Sequence, residues 1–98
     1  MTRQVELIVN DTPIDIDYFI QSFIDHTLGG MIESLERTGP IENLDISVRA
    51  ENVAITLNGE MVPTNSFVKD LVKSTVEGMV MPLKGVDGIS TLRIAITR

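Results

Sequence analysis

With 98 residues, 43% of them hydrophobic and 22% charged, the chain is long enough for one core and too short for two, so residues 1–98 read as a single domain. A formal net charge of −6 leaves no broad basic face for nucleic acid or anionic lipid, and the lack of cysteine excludes disulfides, thiolate nucleophiles and thiolate-held metals. No run approaches the roughly 18 apolar residues of a bilayer span, and "MTRQVELIVN" has no signal-peptide pattern, so a cytoplasmic location is expected.

Val5, Leu7 and Val9 alternate with Gln4 and Glu6, the period of a half-buried strand. From Ile16 the period lengthens, and Phe19, Ile20, Phe23, Ile24, Thr27, Leu28, Met31, Ile32 and Leu35 form one stripe of a helix. Asp15 or Asp17 can cap its start, and "RTGP" (Arg37 to Pro40) can end it. Leu44, Ile46 and Val48 restore period two, Ala50 to Asn52 form a hairpin, and Val53, Ile55 and Leu57 make the next strand. Asn58-Gly59 is a tight-turn dipeptide that allows a short return strand at Glu60 to Val62. Phe67 through Leu83 repeat the helical stripe, capped by Thr64 or Asn65 and ended by Pro82 and Gly85, and Leu92, Ile94 and Ile96 form the last strand.

The chain says much of this twice. A shift of 48 residues aligns Val5 to Val48 with Val53 to Ile96 without a gap, with identities at Asn10/Asn58, Phe19/Phe67, Thr27/Thr75, Gly30/Gly78, Met31/Met79 and Ile46/Ile94 among others. The simplest expectation is an internal duplication of a strand-helix-strand unit, with pseudo-repeats 1–49 and 50–98. Two such units give an α+β, ferredoxin-like β-α-β-β-α-β two-layer sandwich: a four-stranded antiparallel sheet, order 4-1-3-2, with both helices on one face. Gly30 and Gly78 fall on small-residue flanks with Thr27 and Thr75, where the two helices are expected to meet. The halves differ in charge: residues 1–49 carry nine acids and three arginines, net −6, and residues 50–98 carry five acids and five bases, net 0. Matched positions change sign at Asp25/Lys73, Glu36/Lys84 and Asp45/Arg93, so helices of opposite character attract weakly.

Reactive chemistry is thin. His26, the one histidine, falls on the polar side of the first helix, and the sequence identifies no set of metal ligands or triad members to go with it. Asp11, Asp15 and Asp17 lack the spacing of a calcium loop. Gly29-Gly30 and "KGVDG" (Lys84 to Gly88) match neither phosphate-loop pattern. Measured against known users of the expected fold, the first loop "NDTPID" lacks the arginine of acylphosphatases, the open sheet face lacks the aromatics of RNA-recognition modules, and no Cys-x-x-Cys serves a metallochaperone. The expected chain is therefore not an enzyme and needs no metal or cofactor.

What remains is a module that associates, as a homodimer or on another protein, through the open sheet face or an edge strand. Ile8, Ala54 and Ala95 make a small apolar centre on that face, with Arg93 among the charges around it. The alternative is a regulatory domain sensing a small molecule near the strand-to-helix loops, at Asn10, Asp11, Asn58 and Gly59.

Overall fold

Residues 4–36, 40–50, 52–83 and 88–98 are described in the computed structural model. Among them the elements run β1 (Gln4–Val9), β2 (Thr12–Pro13), α1 (Tyr18–Glu36), β3 (Asn43–Arg49), β4 (Asn52–Leu57), β5 (Glu60–Met61), α2 (Ser66–Val80) and β6 (Thr91–Thr97). All six strands form one antiparallel sheet in the order β2-β1-β6-β3-β4-β5. Alternation decides its faces. Val5, Leu7, Val9, Leu44, Ile46, Val48, Val53, Ile55, Leu57, Leu92, Ile94 and Ile96 are buried together with Ile24, Leu28 and Ile32 of α1 and Val72, Val76 and Val80 of α2. Both helices therefore cover one side of the sheet and leave the other side open. Each such side chain taken from water contributes about 1.5–3 kcal/mol.

The helix starts follow local chemistry. Asp17 Oδ1 accepts from the Ile20 N–H at 2.9 Å, and Asn65 Oδ1 accepts from the Val68 N–H at 2.8 Å, so Asp17 and Asn65 are the capping residues. Helix α2 stops at Val80, short of Leu83, because Pro82 has no N–H to continue the ladder. The expected stop at Arg37 to Gly39 and the residues Lys84 to Asp87, with the Glu36/Lys84 sign change, lie outside the described residues or side chains.

The expected ferredoxin-like sheet is corrected. The sheet has six strands rather than four, and the junction at its centre is β6 against β3, not the first strand against the third. The reason is visible at two turns. Asn10 and Asp11 take φ of 52° and 65°, and Asn58 and Gly59 take 50° and 85°, the double left-handed geometry of two-residue hairpins that match strand twist. These hairpins send β2 back along β1 and β5 back along β4. The outer edges of β1 and β4 are thereby filled, and only β3 and β6 remain to join in the middle. The internal duplication of a strand-helix-strand unit is withdrawn with that fold, since each half carries an additional strand that the unit did not contain.

The helices also do not meet along Gly30 and Gly78. Helix α1 lies against β1 and α2 against β4, three strand spacings apart, which is about 14 Å. Packed helices need 8–10 Å. Both glycines are exposed instead, and a Cβ built on either would meet nothing within 4 Å. Gly30→Ala and Gly78→Ala should each raise the stability of the chain by about 1 kcal/mol, through helix propensity alone. Thermal denaturation of the two variants checks this.

Candidate functional site

Asn10 and Asn58 are each built into a clamp. Asn10 Oδ1 accepts from the backbone N–H groups of Ser90 and Thr91 at 2.7 and 3.0 Å, and its Nδ2 donates to the Gly88 carbonyl at 2.8 Å. Asn58 Oδ1 accepts from Glu42 and Asn43 at 2.8 and 2.9 Å, and its Nδ2 donates to the Pro40 carbonyl at 3.2 Å. Their own N–H groups donate to Thr91 and Asn43 carbonyls at 2.9 and 2.7 Å. Each turn thus holds the chain that enters the neighbouring strand. Asp11 and Gly59 occupy the second positions of the same turns. The four residues read as a ligand site stand at two separate hairpins, one beside β6 and one beside β3.

On the open face, strand register aligns Pro13, Ile8, Arg93, Ser47 and Ala54 in one row, and Glu6, Ala95, Asp45, Thr56 and Met61 in the next. Because β1 and β4 flank the centre, Ile8 and Ala54 stand to its sides. The middle is charged: Arg93 Nη2 and Nε reach Asp45 Oδ2 at 2.6 and 3.1 Å. Those hydrogen bonds first, then the charges of Asp45 and Glu6, hold the guanidinium above its ordinary pKa. With side chains 53% and 32% exposed, the pair is worth at most ~1 kcal/mol. Asp45 and Arg93 are two positions that exchange sign between the halves, and here they pair with each other. Asp25 pairs across the core edge with Arg98 instead, Nε to Oδ1 at 2.9 Å.

A half-open cleft between β4, β5 and the first turn of α2 is lined by Val53, Ile55, Met61, Val62, Pro63 and Lys69. His26 is exposed on α1. Among the described residues no group of three or more histidine or acidic side chains could hold a metal, and no helix is long and apolar enough to cross a membrane.

Exposed apolar side chains also stand on the outer side of the helices. Phe19 is 69% exposed, Phe67 70%, Phe23 49% and Leu71 39%, with Met81 at 52%. Phe19 and Phe23 stack on each other, ring centroids 6.4 Å apart. At 100° per residue, Phe19, Phe23 and Gly30 lie nearly opposite Leu28, which is wholly buried. Phe67, Leu71 and Gly78 lie opposite Val76 in the same way. The periodicity had counted the phenylalanines into the buried stripe. The missed signal was width, since apolar residues spread well beyond the ~100° arc that one covered face requires.

No family model and no solved structure matches the chain. Over 52 residues the chain is 36% identical to a protein of Methanocaldococcus jannaschii described as "Putative molybdopterin-guanine dinucleotide biosynthesis adapter protein". The match covers 53% of this chain and 22% of that protein, so the chain spans about a fifth of the relative's length.

Proposed function

We propose that this domain is a non-enzymatic, cytoplasmic association module that docks on a protein partner through the outer face of its two helices. One observation carries the reading: Phe19, Phe23, Phe67, Leu71 and Met81 stand in solvent. At 150–250 Å² per aromatic side chain they leave roughly 500 Å² of apolar surface open, divided between the two ends of the helical layer. The open sheet face offers less, since its centre is an ion pair and its apolar residues Ile8, Ala54, Ala95 and Met61 are small or scattered. The relative's description as an adapter agrees in kind, for a protein more than twice as long. A ligand-sensing role at the hairpins has no comparable support, because the Asn10 and Asn58 side chains already use both their donor and acceptor groups within the chain.

A photoreactive amino acid placed at Ser74, on the exposed side of α2 between Leu71 and Gly78, tests this in the native host. Adducts of discrete mass are expected, and they should disappear in a Phe67→Asp background. If Ser74 yields none, or the same adducts form whatever occupies position 67, the association reading is wrong.

A further inference from the structure

The geometry points to a second copy of this chain as the occupant of that face, seated with the bulky residues of one protomer over the glycines of the other. This rests on the association reading and names its partner. The argument begins with direction. Strands β1 and β3 are parallel, each antiparallel to β6, and β4 and β6 are parallel about β3. The helices that join them therefore run in opposite directions. At one end of the helical layer stand Phe19 and Phe23 of α1 beside Gly78 of α2. At the other end stand Phe67 and Leu71 of α2 beside Gly30 of α1. Knobs and gaps thus alternate from corner to corner of a single face, which makes the face complementary to itself about a two-fold axis lying in its plane.

Two such axes are possible, across the helices or along them. Asp25 of α1 is buried against Arg98, and Lys69 of α2 lines the cleft beside β5, so helix charge does not choose between them. An axis across the helices would stack α1 on α1 of the second copy. We take the axis along them, which lays α1 over α2 of the second copy. In that arrangement Phe23 approaches Gly78 of the second protomer and Leu71 approaches Gly30. The two glycines weaken their helices, and a Cβ on either would meet nothing within 4 Å; a neighbour that needs close backbone approach is what they accommodate. The open apolar area of roughly 500 Å² per protomer is most of the ~800 Å² that each partner contributes to an interface of standard size.

Sedimentation of the full chain between about 1 µM and 1 mM reads the outcome. A reversible dimer is expected, weakened at least 100-fold by Phe19→Asp with Phe67→Asp and unchanged by Ile8→Asp on the open sheet. Gly30→Leu with Gly78→Leu should also weaken it, although both substitutions add apolar surface and favour helix. A dimer tightened by the leucines overturns the seating. Because the chain has no cysteine, the axis is tested cleanly: Gly30→Cys with Leu71→Cys should form intermolecular disulfides under mild oxidation, and neither single variant should. A strictly monomeric chain overturns the second copy while adducts at Ser74 still support association with another protein. A dimer broken by Ile8→Asp and not by Phe19→Asp overturns the helical face.

Discussion

Replacing Asn58 with alanine should lower the stability of the domain by about 3 kcal/mol, and the same change at Asn10 should cost a similar amount. Alanine loses three side-chain hydrogen bonds to backbone groups that enter β3, each worth about 1 kcal/mol net. It must also hold a φ of 50°, which costs an ordinary L-residue about 1–2 kcal/mol and asparagine less. Some of the freed N–H and C=O groups are exposed and will turn to water, which keeps the total near 3. For a domain of this size that corresponds to a fall in melting temperature on the order of 15–20 °C. Chemical denaturation of Asn10→Ala, Asn58→Ala and the pair checks the size and the additivity. The two clamps bind different strand entries and share no partner, so their costs should add. The pair would then remove about 6 kcal/mol from a domain whose whole stability is expected to be 5–15 kcal/mol. If either single variant keeps full stability, the clamp account fails and a different role for the asparagine is required.

That expectation also shows which parts of the molecule were readable from sequence. Period-two runs around Val5, Leu44, Val53 and Leu92 and period-3.6 runs around Leu28 and Val76 located every long element, because burial on one face leaves its period in the residue order. Strand order was not readable, because it turned on two-residue strands. Thr12-Pro13 and Glu60-Met61 are too short to show a period, and Asn10-Asp11 is a weaker hairpin signal than Asn58-Gly59, so only the second return strand was anticipated. Missing β2, and leaving β5 out of the sheet order, kept the edges of β1 and β4 vacant and allowed them to be placed at the centre. The same error moved Ile8 and Ala54 inward on the open face. Gly30 was read as a helix-helix contact because its neighbours are small. Gly29, one position away, is the buried glycine. A shift of one residue turns a helix by 100°, and composition alone cannot resolve that.

Gly29 leads to the second large effect, which concerns the buried charge. Asp25 is 1% exposed and takes a charge-assisted hydrogen bond from Arg98 at 2.9 Å, while the arginine side chain is only 19% exposed. Arg98 is held in place by its backbone N–H, which donates to the Glu42 carbonyl at 2.9 Å, so the end of β6 carries the cation onto α1. Arg98→Ala removes that cation and keeps the carboxylate inside, a change that costs about 3–5 kcal/mol in buried pairs. Asp25→Leu with Arg98→Met removes both charges and keeps volume, and should recover most of that loss. The recovery is the informative number, because it separates the cost of removing one partner from the worth of the pair. Gly29 makes the coupling sharper still. A Cβ at Gly29 would collide with the Arg98 guanidinium, so Gly29→Ala should destabilise the natural chain by displacing Arg98 from Asp25. In the Arg98→Ala background the collision is gone, and Gly29→Ala should instead stabilise by about 1 kcal/mol, as any helical glycine does on gaining a methyl group. A reversal of sign between the two backgrounds, read by urea denaturation, is what the packing of Arg98 over Gly29 requires; the same sign in both would mean the arginine does not lie there.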